Sequence, residues 1–207
     1  MAEALPTFSD LAVLADAVKG CTRCRLARGR THAVPGEGAA DAAVMFIGEG
    51  PGYHEDQQGR PFVGAAGQLL DELIEGIGLR RREVFIANVL KCRPPENRDP
   101  APDEAEACRP YLDRQIELID PKVIVLLGRH ALQAHFSDAQ ISRARGVPRR
   151  REGRTFLPVY HPAAALRQMR LRDVLRSDFA LIPKLLEGPA PAAEPAEPES
   201  QQLSMFG

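Results

Sequence analysis

The chain has 207 residues, a net charge of −1 and 44% hydrophobic residues, which suits one α/β domain with a tail better than two full domains. No apolar run approaches about 18 residues, so no transmembrane helix is expected. Residues 1–10 lack a basic region followed by an apolar stretch, so no secretory signal is expected either. We therefore expect a cytoplasmic protein, and a monomer.

The average charge conceals arginine-rich segments. Residues 188–207 carry three acids and no base, so residues 1–187 sum to +2. Arginines cluster within residues 23–30, 80–82, 143–154 and 167–176. Guanidinium groups bind phosphate bidentately, although such clusters also occur on solvated faces. The clusters favour a polyanionic partner without establishing one.

Hydrophobic periodicity predicts the elements of the first half of the chain. A helix is predicted over Leu11–Val18, after Ser9, and Gly20 ends it. A buried strand follows at residues 43–47. A second helix begins at Ala65, and a second strand covers residues 84–90.

The second half continues the alternation of strands and helices. A helix starts near Asp103 and stops before Pro121. The third predicted strand, residues 123–127, is uniformly apolar, as strands buried on both faces are. A short helix is predicted at residues 129–136.

The last predicted elements contain two prolines. A fourth strand is predicted at residues 155–160, where Pro158 is unfavourable. The final helix covers residues 171–186 and is expected to kink near Pro183.

Strands that alternate with helices predict an α/β fold with a mostly parallel sheet and right-handed crossovers. This domain is expected to span residues 1–187. Residues 188–207 form a separate tail, whose first part (188–200) is rich in Pro, Ala and Glu and is predicted to be disordered.

Three unusual features lie at the ends of three predicted strands. The glycine-rich turn Gly48–Gly52 follows the first strand, Asn88 lies near the end of the second, and His161 follows the fourth. Because such sheets bind ligands beyond the carboxyl ends of their strands, we expect one shared cleft. Residues 55–64 form a long polar segment with one aromatic residue, Phe62, and long loops in compact domains are usually functional.

Each feature also has a structural interpretation. The turn at residues 48–52 is neither a Walker loop nor a GxGxxG motif, and its glycines either make a tight turn or admit a ligand to the backbone. Asn88 either bonds a neighbouring loop or reads the donor–acceptor edge of a pyrimidine. His161 is either structural or stabilises an anionic leaving group.

Four cysteines, Cys21, Cys24, Cys92 and Cys108, are separated by 3, 68 and 16 positions. A single CxxC pair does not make the two-knuckle zinc pattern. Four thiolates that converge from separate segments are compatible with Zn²⁺ or a 4Fe–4S cluster. Four unrelated buried thiols are the alternative, and spacing does not decide among these three.

The sequence resembles the family 4 uracil-DNA glycosylases from about Cys21 to Leu186. The resemblance rests on five motifs, at residues 48–52, 59–64, 88–95, 108–110 and 161–164. It implies a three-layer α/β/α fold with a central four-stranded parallel sheet. It also implies a 4Fe–4S cluster on the four cysteines, and uracil-containing DNA as the substrate.

The resemblance implies a role for each matched residue that contacts uracil. Gly48 and Gly50 provide backbone approach to the base, and Phe62 stacks on it after it has been flipped out of DNA. Asn88 reads the O4 and N3 edge. His161 lies at O2 and stabilises the departing anion.

Further roles concern selectivity, the sugar and the DNA. Glu55 matches the position proposed to exclude the 5-methyl group of thymine. Glu49 is the carboxylate expected to orient water or to balance positive charge at the sugar. Ala165 stands where related enzymes often carry a bulky wedge, so Leu166 or Arg167 is expected to fill the vacated base stack.

Two alternatives have different chemistry. A uracil-capturing relative of the same fold bonds covalently to the abasic sugar through a reactive His, but residues 91–103 contain no His. A non-catalytic iron–sulfur module that binds DNA or senses redox state is the second alternative.

The end of the tail contains a separate motif. Gln202, Leu203, Met205 and Phe206 resemble the short peptide with which bacterial repair proteins dock on the replication sliding clamp. Such peptides bind through a few apolar side chains and become ordered on binding. This resemblance predicts that the tail tethers the enzyme to the clamp, and a stray apolar terminus is the alternative.

Overall fold

The computed structural model describes residues 8–188, which are built around a six-stranded sheet in the order β1-β3-β2-β4-β6-β5. Its strands are β1 (Glu37–Gly38), β2 (Val44–Gly48), β3 (Phe85–Asn88), β4 (Val123–Leu127), β5 (Arg149–Arg151) and β6 (Arg154–Val159). The four central strands, β3, β2, β4 and β6, are parallel. This confirms the predicted four-stranded parallel sheet.

Helices cover both faces of the sheet. They are α1 (Leu11–Lys19), α2 (Tyr53–Gln58), α3 (Ala65–Glu75), α4 (Pro102–Ile119), α5 (Arg129–His135), α6 (Ile141–Ala144), α7 (Pro162–Arg167), α8 (Arg170–Phe179) and α9 (Leu181–Glu187). Alternate strand residues point to opposite faces: Val44 and Phe46 pack with the core beneath α3, α8 and α9, and Met45 and Ile47 pack with the core beneath α4 and α5. The three-layer α/β/α architecture is thus confirmed.

Two short edge strands were not predicted. β1 pairs antiparallel with β3, and β5 pairs antiparallel with β6. β1 has only two residues, and β5 consists of three arginines, so neither carries the apolar signal of a buried strand. Charged edge strands resist pairing with other chains.

Pro158 is accommodated because β6 has no partner strand on one side at that point. β5 pairs only with Arg154–Phe156, so the missing N–H of Pro158 leaves no ladder bond unmade. The carbonyl of Pro158 accepts a hydrogen bond from the backbone N–H of Gly146 at 2.9 Å.

The last predicted helix is two helices, which meet at Ala180. Pro183 causes the break, since a proline ring disrupts the helix at the carbonyl four residues earlier, which is that of Phe179. The predicted kink therefore lies three residues before the proline itself. At the other end of the chain, Gly20 ends α1 as predicted, and Asp10 caps it by accepting hydrogen bonds from Ala12 and Val13.

Residues 189–207, which contain most of the predicted linker and the clamp-like motif, lie outside the described residues, so those two predictions stay predictions. Within residues 8–188, no helix is both long enough and apolar enough to cross a membrane.

Candidate active site

A cleft of about 400 Å³ opens beyond the carboxyl ends of the parallel strands. It is lined by Glu49, Gly50, Pro51, Gly52, Glu55, Phe62, Ala66, Asn88, Pro94, Asn97, Arg98, His161, Ala163, Ala164 and Arg167. The structure therefore brings together, in one cavity, most of the residues that the sequence predicted for substrate binding and catalysis.

Gly48 lies just beneath the cleft and is needed for close packing. It is the register partner of Asn88 across β2 and β3. A Cβ atom at Gly48 would lie 2.4 Å from Asn88 Oδ1 and 2.6 Å from the Phe62 ring. The absence of a side chain thus lets the amide and the ring meet at the floor of the cleft.

Asn88 presents an unused hydrogen-bonding group to the cleft. Its side chain is buried, with 2% of the residue exposed, and Oδ1 has no hydrogen-bond partner. Buried amide oxygens are almost always paired, so this atom is suited to a ligand. The amide carries both an acceptor and a donor, and the Asn88 side chain lines the cavity.

Below Asn88 lies a wholly buried lysine. Lys91 donates from Nζ to the Asn88 backbone oxygen at 2.9 Å and to Gln115 Oε1 at 2.6 Å. Gln115 in turn donates to the Pro35 carbonyl at 2.7 Å. Burial lowers the pKa of Lys91 to about 8. This chain of bonds holds the end of β3 in place.

Phe62 has a left-handed backbone conformation, with φ of 51°, which is unusual for an aromatic residue. Arg81 bonds its carbonyl oxygen at 3.2 Å and that of Pro61 at 2.6 Å. Gly67 lets helix α3 approach the Phe62 carbonyl oxygen, because a Cβ atom on Gly67 would lie 1.9 Å from that oxygen. The strained loop is thus held from its carbonyl side.

Glu55 holds the same loop from its N–H side. Its Oε1 accepts hydrogen bonds from the backbone of Val63 at 2.9 Å and Gly64 at 3.0 Å, and Oε2 accepts one from Gly52 at 3.1 Å. Glu55 lines the cleft, and its expected role in excluding the 5-methyl group of thymine stays a prediction. Its carboxylate oxygens are also committed to the two loops that form the walls.

His161 caps α7 and stacks on Phe62, with ring centroids 5.7 Å apart. Its Nδ1 accepts the Ala163 backbone N–H at 3.1 Å, so the proton of the neutral ring is on Nε2. Burial lowers the pKa of His161 to about 4, although Glu55 opposes this. His161 is therefore a neutral N–H donor at physiological pH.

Glu49 lies at the mouth of the cleft beside residues that the sequence analysis missed. Its Oε2 lies 3.7 Å from His130 Nε2, and that nitrogen lies 3.2 Å from Asp99 Oδ1. Burial raises the pKa of Glu49, while His130 and Arg129 lower it. In the sequence, the one signal for a functional role of His130 was its position shortly after the end of a strand, β4.

The expected DNA-contacting residues lie at the rim. Arg167 lines the cleft, whereas Leu166 is 39% exposed and lies outside its lining. Met169, between α7 and α8, is 67% exposed. The rim also includes Asn97 and Arg98, which the sequence analysis did not single out.

All four cysteines line a second, smaller cavity, between α1 and α4. Within residues 8–188, Glu49, Asp99 and His130 form a group whose potential metal-ligating atoms all lie within 4.8 Å of one another. Four thiols that share one cavity are a donor set that both zinc and iron–sulfur clusters accept.

Two hydrogen-bond donors point at these sulfurs. Arg30 Nη1 lies 3.1 Å from Cys92 Sγ, and the Lys91 backbone N–H donates to Cys108 Sγ at 3.3 Å. Burial raises the pKa of both thiols. Thiolates at this depth need cations or donors around them, and the cavity supplies donors.

The cysteine cavity and the cleft are joined through Glu104. This wholly buried carboxylate accepts from Arg98 at 2.6 and 2.7 Å and from Arg25, which follows Cys24, at 2.7 Å. Arg98 holds the pKa of Glu104 at about 2. One side chain thus connects the N-terminal cysteine segment to the cleft rim.

Comparison with known proteins agrees with this geometry. Residues 35–180 match the family model described as the uracil DNA glycosylase superfamily, which defines the class of protein. The chain is 50% identical over 188 residues to a type-4 uracil-DNA glycosylase of Sulfurisphaera tokodaii, an alignment that covers 86% of each chain.

A bacterial relative gives the same result. The type-4 uracil-DNA glycosylase of Thermotoga maritima is 46% identical over 173 residues, which cover 81% of this chain and 90% of the relative. A type-5 uracil-DNA glycosylase of Thermus thermophilus is 34% identical over 116 residues and covers only 49% of this chain. The chain therefore belongs to the type-4 uracil-DNA glycosylases.

Proposed function

We propose that this protein is a uracil-DNA glycosylase that hydrolyses the bond between uracil and deoxyribose and leaves an abasic site. The observation that carries the proposal is the unpaired Asn88 Oδ1, in one cleft with a neutral His161 donor. An amide acceptor and donor match N3–H and O4 of uracil. A base within a duplex is inaccessible, so the uracil must first be flipped into the cleft.

The leaving group is stabilised by neutral donors. As the C1′–N1 bond breaks, its electron pair moves to the base and generates a uracil anion. His161 Nε2–H donates to O2, and Asn88 Nδ2–H donates to O4 of this anion. Because these donors are held in place before reaction, they stabilise charge that develops only in the transition state. Phe62 provides the stacking surface for the base.

The sugar becomes cationic as the base departs, as in other glycoside hydrolyses. The Glu49 carboxylate stabilises this charge and takes a proton from the water whose oxygen adds to C1′. The uracil anion later acquires a proton at N1. Arg167 lies at the rim, where it contacts DNA phosphates and makes binding salt-dependent.

The four cysteines are proposed to hold a 4Fe–4S cluster. When bound, the cluster contributes a covalent link between segments that are distant in the chain. The purified protein should then absorb broadly near 400 nm and contain about four irons and acid-labile sulfide per chain. Stoichiometric zinc in a colourless protein would contradict this assignment.

Release of free uracil from single-stranded DNA that contains uracil tests the activity. Release with an alkali-labile abasic site supports a glycosylase. A DNA adduct that survives denaturation would instead indicate a uracil-capturing relative, and DNA binding without release would indicate a non-catalytic module. The proposed setting is the cytoplasm, with the protein acting as a monomer.

The tail is proposed to tether the enzyme to a bacterial sliding clamp through Gln202, Leu203, Met205 and Phe206. A linker raises the effective concentration of the enzyme near DNA, and binding of about micromolar affinity suffices. A peptide of residues 198–207 should bind purified clamp. Leu203→Ala with Phe206→Ala should abolish that binding and leave uracil release from free oligonucleotides unchanged.

A further inference from the structure

His130 occupies a position that the proposed reaction has not yet used. It lies in the first turn of α5, directly after β4 and Gly128. Its Nε2 lies between two carboxylates, 3.2 Å from Asp99 Oδ1 and 3.7 Å from Glu49 Oε2. Asp99 also pairs with Arg129, through its other oxygen.

The Nε2 atom of His130 is not engaged in a well-aligned hydrogen bond. The His130 side chain is 17% exposed, and Nε2 is a buried atom without a hydrogen-bond partner of good geometry. Its distance to Glu49 exceeds that of a direct hydrogen bond. In the free enzyme, His130 Nε2 therefore has no well-formed hydrogen bond, although it lies beside the carboxylate that is proposed to face the sugar.

We propose that His130 is a positioning residue that keeps Glu49 ionised, while Asp99, which contacts the same ring nitrogen, orients the imidazole. This inference rests on the proposed glycosylase activity and on the role of Glu49 in it. Asp99 and Arg129 form an ion pair, which links the loop after β3 to the start of α5.

The charged groups around Glu49 determine which measurement reveals the contribution of His130. Burial raises the pKa of Glu49, His130 and Arg129 lower it, and Asp99 raises it. His161, the other ring near His130, has a pKa lowered mainly by burial. Since only ionised Glu49 stabilises the sugar and accepts a proton, removing His130 raises the pH at which activity is lost.

The test is the pH profile of single-turnover uracil release by the full-length protein. His130→Gln should move the acid limb upward by about one pH unit, as expected when a side chain that lowers the pKa of the neighbouring carboxylate is lost. On that limb the rate changes tenfold per pH unit, so the rate falls about tenfold there and is unchanged on the plateau at higher pH. The concentration of DNA that gives half-maximal rate should not change.

Three variants provide controls. In a Glu49→Gln background, His130→Gln should change the rate less than twofold at any pH, because the two residues act as one unit. His54→Gln removes an exposed histidine outside the cleft lining and should leave the acid limb in place. His130→Asn should shift the acid limb in the same way. Partial misfolding does not mimic this shift, because only folded enzyme contributes to the measured pH profile and misfolding lowers the rate without moving the limb.

The outcomes separate the two proposals. Equal loss at every pH, an unmoved limb, or a shift that persists in the Glu49→Gln background would overturn the role of His130 while uracil release by the unaltered protein stands. No uracil release by the unaltered protein would overturn the proposed function itself.

Discussion

Gly48 and Asn88 are register partners on adjacent parallel strands, and a methyl group on Gly48 would lie 2.4 Å from the amide oxygen of Asn88. The same methyl would meet the Phe62 ring at 2.6 Å. Real Cβ atoms do not approach other atoms so closely. The two side chains proposed to recognise uracil therefore depend on a residue that contacts no substrate through a side chain.

Gly48→Ala should consequently reduce uracil release by roughly 100-fold, since displacements of about 1 Å within a catalytic site have such effects. DNA affinity, measured separately, should fall much less. Gly29→Ala is a matched control, because a Cβ atom at Gly29 meets nothing within 4 Å. Equal activity of Gly48→Ala and Gly29→Ala would show that activity does not depend on the positions of Asn88 and Phe62.

Asn88→Asp should shift base selectivity toward cytosine. A carboxylate repels O4 of uracil, but accepts a hydrogen bond from the cytosine amino group. Oligonucleotides with a single uracil or an unpaired cytosine measure both activities. Unchanged uracil release in Asn88→Asp and Asn88→Ala would make Asn88 a structural residue.

His161→Ala should lower the rate of cleavage more than DNA affinity, with a loss of about 2–4 kcal/mol in transition-state stabilisation. The reason is that the Nε2–H bond strengthens as charge develops on uracil. Single-turnover rates and equilibrium DNA binding separate the two effects. Equal losses in both would reassign His161 to ground-state binding.

Glu104→Gln should lower the free energy of unfolding by about 2 kcal/mol at neutral pH, because it removes the charge from a buried acceptor of hydrogen bonds. The folded-state pKa of Glu104, about 2, lies below its ordinary value of 4.5. Its contribution is therefore complete above about pH 4.5 and is lost as pH falls toward 2.

Denaturant unfolding at pH 7 and pH 3 measures this difference, which should shrink at the lower pH. Glu106→Gln is the matched control, since Glu106 lies on the same helix and is exposed. That variant should change stability by less than about 0.5 kcal/mol. A pH-independent effect of Glu104→Gln would exclude an ionised carboxylate as its cause.

The parallel sheet and much of the site were predictable because their signals are local. Buried parallel strands are short apolar runs, and Asn88 and His161 were conspicuous where such runs end. The Glu49–His130–Asp99 arrangement was not predictable in this way. Its members are 31 to 81 positions apart in the sequence, and each is a common residue type that needs no functional explanation alone.

Other features were not predicted from the sequence because tertiary contacts determine them. Strand β5 has no apolar residue, and only its pairing with β6 makes it a strand. The helix boundary at Ala180 depends on a proline three positions later. The spacing of the four cysteines left zinc, an iron–sulfur cluster and unrelated thiols all open, and only the resemblance to a family implied the cluster.

The position of the cysteine cavity has a consequence for synthesis of the chain. Cys21 and Cys24 leave the ribosome first, but their cavity is completed only by Cys92 and Cys108. During the interval the N-terminal segment has no finished surface on which to dock, although domains otherwise fold as they emerge. The first described helix is thus among the last to be secured, and any group proposed to bind the four cysteines could join them only after that point.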